Sequence, residues 1–547
     1  MSAARPGNTT HQTNPTPRVR RHGGSVIAGV LAALIAASSL QAGLTASDLV
    51  DPTYVQGYDG GGVGATADFS AFHATYGADG SGVHIGVIAD NYASALPDVT
   101  VLNAGSGNNV GGAMIDLMQQ IAPGATFTFH SAFDNAFTST DPATRRPAVD
   151  SHAIAVNNLV AQGVDVIVDS TTFLNQPAFQ DGVMAQAVNA AADAGVAYFA
   201  AAGNQAALSY ESNYRFTNST SDSGLGTGYS HLFSPTENDL LDRSMELLLP
   251  AGGELTAVLH WANPSPSVQP AVVDDDFTLW LSDGNYQVVS NRDQISGGDN
   301  DHDYGGGGFG DGQPDLDPWE MVTYTNNTGS EITLYLGVEW RDPSSTGDDP
   351  PLDTLLKLVL YGDGSIDDAS IDPANLDKPT ILGHAAADGA ITIASQNVTT
   401  PTPDNVNAES SHGPTAILFD DNGNPILPPQ IRHTPLLTGL DGWQTSVFGD
   451  FRGTGAAAAY AGAVSALLLN QSELMGQTLG PDDLLALLVS TATDIENGID
   501  GGAVYDHLSG WGRIDPDGAA GVIVPEPAAA ALLALASAAT LVRRRRR

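Results

Sequence analysis

Short runs of β-branched and small apolar residues alternate with helix-like stretches in the first part of the chain. The predicted strands cover residues 83–90, 126–130, 164–170 and 196–201, and the predicted helices cover residues 112–121, 150–162 and 179–194. Strands separated by helices require right-handed crossovers, which give a parallel sheet covered on both faces. Ligands collect at the carboxyl ends of such strands, where Asp90, Ser170 and Asn204 fall.

The pattern changes after Asn204. Residues 206–375 show short alternating strands, namely 255–261, 277–281, 332–340 and 355–361, parted by loops rich in Gly, Asp and Asn. This pattern is typical of a β-sandwich. The α/β pattern then resumes, with predicted strands at 380–382 and 390–394 and predicted helices at 455–470 and 481–493. The sequence therefore predicts an α/β domain, residues 43–205 and 376–524, that is interrupted by an all-β domain.

Both ends of the chain have the composition of targeting segments. Residues 1–42 contain Arg18, Arg20 and Arg21, an apolar run over 26–37 and small residues up to Ala42. This order is typical of a secretory signal peptide, and the apolar run is short for the roughly 20 residues of a membrane span. The sequence therefore predicts export, by a route that the flanking residues leave open.

The C-terminal end combines three features. Pro525-Glu526-Pro527 precedes a small and apolar stretch over 528–542, and five arginines close the chain. Together they resemble the PEP-CTERM sorting signal of bacterial envelope proteins, and the alternative is a simple single-helix anchor. Because arginines stay on the cytoplasmic side, both interpretations place the body of the protein outside the membrane. The resemblance implies sorting or anchoring machinery as a partner and a location at the cell surface or beyond it.

Charge and composition exclude several classes of protein. The 547 residues include 62 acidic and 20 basic side chains, a net charge of −42, and no cysteine. So acidic a body repels nucleic acid and attracts divalent cations or basic partners. The absence of cysteine excludes disulfides, zinc-thiolate sites, iron–sulfur clusters and a thiol nucleophile.

Acidic loops in the predicted sandwich are candidate calcium sites. Asp299, Asp301 and Asp303 alternate with Asn300 and His302, so their carboxylates could converge on one ion. Calcium takes six to eight oxygen ligands at about 2.3–2.6 Å. The acidic run at 420–424 offers similar groups, and a solvated acidic turn is the alternative for each cluster. We expect calcium, if bound, to have a structural role.

Five segments, taken in order, resemble those of subtilisin-type serine peptidases. They are Gly86-Val87-Ile88-Ala89-Asp90, Ala200-Ala201-Ala202-Gly203-Asn204, Ser410-Ser411-His412-Gly413-Pro414, Gly453-Thr454-Gly455-Ala456-Ala457 and Gly510-Trp511-Gly512-Arg513-Ile514. The resemblance covers most of residues 70–205 and 376–520. It implies a subtilisin-like doubly wound sheet in which Asp90 is the catalytic acid and Asn204 donates to the oxyanion. It also implies a substrate groove lined by Ser170, Thr171, Ala201, Ala202 and Gly203.

Two catalytic positions of that family are empty in this chain. Gly455 stands where the family has its nucleophilic serine, and Val110 stands where a histidine or glutamate base is required. Neither residue can attack a carbonyl or carry a proton. In addition, residues 43–82 are too few for the folded inhibitory prodomain that is typical of the family.

Three hypotheses follow for the function. The leading one is an exported serine-peptidase homologue that is inactive and binds a polypeptide or an envelope polymer. The second is an active serine-type endopeptidase with a rearranged site, in which Ser170 is the nucleophile. The third is an architectural surface protein in which residues 206–375 adhere.

Overall fold

The computed structural model describes residues 53–132, 147–216, 228–234, 242–266, 268, 275–283, 288–291, 317–341, 354–399, 406–495 and 505–523. Three of the sequence predictions lie outside these residues. They are the signal peptide, the C-terminal sorting segment and the calcium ligands Asp299, Asp301 and Asp303. Among the described residues, no helix combines the length and the apolar character that a membrane span requires.

A seven-stranded parallel sheet forms the centre of the α/β part. Its strands, in spatial order, are Leu437–Asp441, Ala390–Asn397, Ala197–Ala201, Val166–Asp169, His84–Ala89, Thr126–Ser131 and Val99–Asn103. Every pair of neighbours runs parallel. The inner strands are buried on both faces, as continuous apolar runs predict.

Helices cover both faces of this sheet. Val110–Ile121 and the central helix Thr454–Leu474 pack on one face, while Pro147–Ala161 and Val183–Asp193 pack on the other. The shorter or more peripheral helices are Ser70–Tyr76, Pro481–Thr491 and Pro516–Val522, with 3₁₀ turns at Pro373–Asn375 and Gly383–Ala386. The central helix is buried over most of its length, which its run of Ala and Gly permits because small side chains allow close approach to the sheet.

Two antiparallel sheets lie between Ser209 and Ile366 in the chain. One contains Gly228–Ser230, Met245–Leu249, Asp276–Ser282, Val288–Asn291, Ile332–Arg341 and Ser365–Ile366. The other contains Ser209–Asn213, Glu254–Trp261, Trp319–Thr325 and Leu355–Gly362. Alternate residues of both sheets share one apolar core, which includes Trp261, Phe277 and Trp340.

The predicted fold class is confirmed by this parallel sheet with its helices and by the antiparallel sheets. The exact domain limits at residues 206 and 375 remain a prediction. One predicted strand is wrong: residues 380–382 lead into the 3₁₀ turn Gly383–Ala386 and belong to no strand. Two edge strands, Val99–Asn103 and Leu437–Asp441, were not predicted.

Three small antiparallel pairs lie outside these sheets. Thr53–Val55 pairs with Thr171–Phe173, Tyr58–Asp59 pairs with Phe451–Arg452, and Thr415–Phe419 pairs with Pro425–Arg432. The first two pairs bring an N-terminal segment to the carboxyl edge of the central sheet.

Candidate functional site

Asp90 follows the strand His84–Ala89 and is held by backbone amides. Its carboxylate accepts hydrogen bonds from the N–H groups of Asn91 at 2.6 Å, Asn108 at 2.6 Å and Val110 at 3.0 Å. Burial raises the pKa of Asp90 to about 6, although these amide donors oppose the shift. The carboxylate is therefore satisfied by backbone donors, and no imidazole of the described residues binds to it.

Val110 opens the helix Val110–Ile121 beside this carboxylate. Its amide donates to Asp90, and its side chain is fully buried in the core on this face of the sheet. An isopropyl group has no lone pair and no exchangeable proton. The position where the family resemblance requires a base is therefore apolar.

Asn204 lies just beyond the strand Ala197–Ala201, where Thr454 fixes its side-chain amide. The Asn204 Oδ1 atom accepts from both the backbone N–H and the hydroxyl of Thr454, each at 3.0 Å. Thr454 Oγ1 also accepts from the N–H of Gly203 at 3.1 Å. Because Oδ1 is engaged in this way, the Nδ2 donor of Asn204 points into the cleft.

Gly455 lies in the first turn of the helix Thr454–Leu474, where backbone N–H groups have no partner within the helix. Its N–H and the Nδ2 of Asn204 converge on one carbonyl oxygen, that of Gln56, at 2.8 Å and 3.2 Å. Two such donors on one carbonyl make the arrangement of an oxyanion hole. We call this pair of donors the two-donor hole.

Residues 53–59, which we call the cleft segment, occupy the groove in an extended conformation. Thr53–Val55 pairs antiparallel with Thr171–Phe173, and the N–H of Gln56 donates to the carbonyl of Ser170 at 2.7 Å. After Gly57, Tyr58–Asp59 pairs with Phe451–Arg452. The protein's own chain therefore runs as an extended strand across the carboxyl edge of the central sheet, past Ser170 and Gly455.

The cleft segment is packed against Gly455 and Val110, the two residues where the family resemblance requires a catalytic side chain. A Cβ atom built at Gly455 would lie 2.9 Å from the carbonyl carbon of Gln56, and one built at Gly57 would lie 3.0 Å from Val110 Cγ1 and 2.6 Å from the Phe451 ring. Gly453 has φ +93°, and a side chain there would collide with the Gln56 carbonyl oxygen. The bound strand and its surroundings therefore fit only without side chains at these positions.

The other residues predicted to line the groove have distinct environments. The carbonyl of Ser170 receives the cleft segment, while its Oγ is buried without a hydrogen-bond partner among the described residues. Thr171 pairs with Val55 through its backbone, but its hydroxyl donates to Asp169 Oδ1 at 2.7 Å, away from the cleft. Ala201 and Ala202 are buried, and Gly203 supports Thr454.

Three other polar residues, Asp116, Ser411 and His412, are engaged elsewhere. Asp116 accepts a hydrogen bond from the N–H of Ser446. Ser411 Oγ accepts from the N–H of Gln205 at 3.1 Å, and burial lowers the pKa of the neighbouring His412. Neither arrangement supplies a base to the position of Gly455.

A buried polar cluster lies behind Ser170 and was not predicted. Asp169 Oδ2 is 2.7 Å from His152 Nε2, 3.0 Å from His384 Nε2 and 2.6 Å from the hydroxyl of Tyr198. Burial alone would raise the pKa of Asp169, but the two imidazoles outweigh it and hold the pKa well below its usual range. Burial also lowers the pKa of His152.

Donors and acceptors in this cluster define the protonation of His384. Gln176 Oε1 accepts from the backbone N–H of His384 at 2.7 Å, so its Nε2 faces His384 Nδ1 at 2.8 Å and donates to it. His384 therefore carries its proton on Nε2, facing Asp169. Three such groups, two histidines and one carboxylate, could in other circumstances hold a metal ion. A histidine Nε2 that binds a metal must be deprotonated. The hydrogen bond from Gln176 to Nδ1 keeps the proton of His384 on Nε2 and therefore opposes metal binding.

Comparisons with known proteins found no matching family model and no matching curated protein. Several solved structures are similar in fold, and all three cited here are named as proteases. The CspB protease of Clostridium perfringens is 10% identical with a TM-score of 0.44, over 83% of this chain and 97% of that one. The prenylagaramide maturation protease PagA is 9% identical with a TM-score of 0.38, over 83% and 97%. MycP1 from Mycobacterium smegmatis is 14% identical with a TM-score of 0.33, over 86% and 90%. At TM-scores below 0.5, these likenesses do not by themselves establish what this chain does.

Proposed function

We propose that this chain is an exported, non-catalytic relative of subtilisin-type serine peptidases whose cleft binds an extended polypeptide strand without cutting it. Peptide hydrolysis by such a site needs an attacking oxygen, a base that takes its proton and donors for the oxyanion. The cleft has the donors, Gly455 N–H and Asn204 Nδ2. Gly455 and Val110 supply neither oxygen nor base.

The single observation that carries this proposal is the carbonyl of Gln56 in the two-donor hole. A carbonyl placed there is polarised and would be the one attacked in a working peptidase. Gly455 stands where the attacking side chain of a working peptidase would be, and it has no side chain. Its N–H donates to the carbonyl oxygen of Gln56 at 2.8 Å. The site therefore supports binding of a peptide bond and lacks the groups that would break it.

A rearranged peptidase that uses Ser170 is the alternative candidate, favoured by one contact. A Cβ atom built at Gly455 would lie 2.9 Å from Ser170 Cβ, so this serine borders the vacant nucleophile position. Its buried Oγ, however, has no hydrogen-bond partner in the described part of the chain. A serine needs an adjacent base to become a nucleophile, and no such contact supports this one.

The test uses the purified mature chain with a fluorophosphonate probe and unfolded casein. We expect no labelling, no cleavage and, by intact mass, no break between Gln56 and Gly57 after prolonged incubation. Ser170→Ala is the matched variant: if the wild type cuts casein and Ser170→Ala does not, the alternative candidate is correct. Labelling that survives in Ser170→Ala would place an active nucleophile elsewhere and contradict both readings.

The proposed location rests on the two ends of the chain. The arginine-flanked apolar run before Ala42 supports export, and Pro525-Glu526-Pro527 with the terminal arginines supports sorting at the envelope. In a host that processes such signals, removal of residues 525–547 is expected to shift the protein from the envelope fraction to the medium. An unchanged distribution would contradict a sorting role for this segment.

A further inference from the structure

We propose that the cleft segment is a resident ligand that an external peptide of the same pattern can replace, and that the cleft selects for a glycine directly after the residue whose carbonyl enters the two-donor hole. This inference rests on the proposed function, because it requires a cleft that binds and does not cut. The partner is thereby an extended peptide with glutamine followed by glycine at its centre.

Backbone pairing supplies the part of recognition that is independent of sequence. The cleft segment adds as a strand to Thr171–Phe173 on one side of Gln56 and to Phe451–Arg452 on the other. Neither pair belongs to the seven-stranded sheet. A strand added at such an edge can open locally while the central sheet stays intact.

Gln56 supplies a side-chain contact at the centre of the segment. Its Oε1 accepts a hydrogen bond from the N–H of Asn204 at 2.8 Å, and the residue is 1% exposed. An aliphatic residue at this position would leave the partly buried N–H of Asn204 without its acceptor, which is unfavourable. Glutamine is therefore preferred at position 56. Its side-chain oxygen accepts from the backbone N–H of Asn204, and its backbone carbonyl accepts from the side chain of the same asparagine.

Gly57 gives the sharpest selection. A Cβ atom built there would lie 2.6 Å from the ring of Phe451 and 3.0 Å from Val110 Cγ1. Phe451 is fully buried and packs in the same core as Val110, so neither can move aside easily. Every residue larger than glycine is therefore disfavoured at this position, and the more so the larger its side chain.

Tyr58 lies near the C-terminal end of the cleft segment. Its hydroxyl donates to Glu409 Oε1 at 3.3 Å, and burial with the charge of Glu409 raises the pKa of Tyr58 far above its usual range. The phenol therefore stays protonated and donates at any physiological pH. A peptide that replaces the cleft segment gains this contact with a tyrosine after its glycine.

The experiment frees the cleft in the full mature chain and offers it the segment in trans. In Gly57→Ile the chain's own segment cannot fit, and Gly57→Ala is a milder variant with one methyl group against Phe451. The ligand is a fluorescein-labelled peptide with the sequence of residues 53–59, followed by anisotropy. We expect saturable one-to-one binding that is at least tenfold tighter to Gly57→Ile than to the wild type, with Gly57→Ala between them.

The control is the same peptide with isoleucine in place of its glycine, which we expect not to bind. Circular dichroism and thermal melting establish that each variant is folded before it is used. A folded Gly57→Ile or Gly57→Ala chain that binds neither peptide, or both equally, would overturn the inference. Those outcomes leave the proposed function intact, whereas cleavage of the bound peptide would contradict the proposed function itself.

Discussion

The N–H of Gly455 donates to the carbonyl oxygen of Gln56 at 2.8 Å, and a Cβ atom at Gly455 would lie only 2.9 Å from the carbonyl carbon of that same residue. The hydrogen bond between Gly455 and Gln56 thus depends on the lack of a side chain at residue 455. A bound carbonyl can approach this closely because no side chain stands at the nucleophile position. The lack of a side chain at residue 455 and the position of the Gln56 carbonyl are therefore physically linked.

Gly455→Ser is expected to disturb the cleft segment without creating a peptidase. The new Cβ would crowd both Gln56 and Ser170 Cβ, and overpacking of this kind costs about 1–3 kcal/mol. We expect a lower melting temperature, faster proteolytic trimming before residue 60 and no reaction with a fluorophosphonate, because Val110 still offers no base.

Gly455→Ala separates volume from chemistry in that experiment. It adds the same Cβ without a hydroxyl, so we expect a similar loss of stability. A Gly455→Ser chain that became labelled, while Gly455→Ala did not, would mean that a base is within reach and that the site is closer to activity than we infer.

Thr454→Val tests how the two-donor hole is built. The hydroxyl of Thr454 bonds to Asn204 Oδ1 and to the N–H of Gly203, and valine retains the shape but removes both bonds. We expect the free energy of unfolding in urea to fall by about 1–3 kcal/mol and the Gly455 amide to exchange faster. Thr75→Val, at an exposed helical threonine, is the matched control. Equal losses in both variants would contradict a specific role for Thr454.

The sequence pattern predicted the interior of the fold better than its edges. The three strands His84–Ala89, Val166–Asp169 and Ala197–Ala201 are nearly continuous apolar runs, because they are buried on both faces of the sheet. The edge strand Val99–Asn103 is half exposed and therefore lacks that signal. Residues 380–382 carry strand-forming side chains, yet they enter a turn where Gln176 binds the backbone of His384.

Only part of the candidate site could be predicted from the sequence. Asp90, Asn204, Val110 and Gly455 were identified through motifs, because they lie at fixed places on regular elements. Gln56 was missed, since its contacts with Ser170, Asn204 and Gly455 all join distant parts of the chain. The small residues Gly57 and Gly455 were the available signal, and only the structure reveals that Gly57 belongs to the strand that Gly455 contacts.

The contributions of Asp441 and Asp90 to stability are expected to fall as the pH rises from about 4 to about 7. Burial and the nearby Glu409 raise the pKa of Asp441 to about 7, and burial raises that of Asp90 to about 6, from 3.8. At these two sites the folded state binds more protons than the unfolded state in this window, so their contribution to the free energy of unfolding decreases with pH, whereas the buried His231 and His260, whose pKa values burial lowers, contribute in the opposite direction. Asp441→Asn should remove on the order of 2–4 kcal/mol of that decrease.

Urea titrations at pH 4 and pH 7 measure this difference. Asp388→Asn, at an exposed carboxylate, is the control and should follow the wild type. If Asp441→Asn retained the full pH dependence, the buried carboxyl would not be its source.

Calcium is expected to stabilise the protein through Asp299, Asp301 and Asp303. In calorimetry, a chelator should lower the melting temperature by roughly 3–10 °C, and Asp301→Asn should abolish that response. Asp420→Asn is the control, because Asp420 Oδ1 already accepts from the amides of Asn422 and Asn424 within its own turn. An unchanged melting temperature in the wild type would count against bound calcium.

The cluster of His152, Asp169 and His384 is expected to act as a hydrogen-bonded support for the cleft and to reject zinc. Asp169 Oδ1 accepts from the N–H and hydroxyl of Thr171, and the adjacent Ser170 carbonyl receives the cleft segment. Removing the carboxylate charge leaves three buried donors with a weaker acceptor. We therefore expect Asp169→Asn to lower the free energy of unfolding by about 3–5 kcal/mol.

The position of the proton on His384 determines whether the cluster can bind a metal ion or only supports the cleft through hydrogen bonds. Because Gln176 donates to Nδ1, nitrogen NMR should find the proton of His384 on Nε2, and added Zn²⁺ or Co²⁺ should leave the melting temperature unchanged. In Gln176→Leu the donor to Nδ1 is removed, so the proton of His384 is no longer confined to Nε2, and any affinity for Co²⁺ should appear in this variant first. A stoichiometric cobalt spectrum in the wild type would contradict this assignment, because a ligating Nε2 cannot keep its proton.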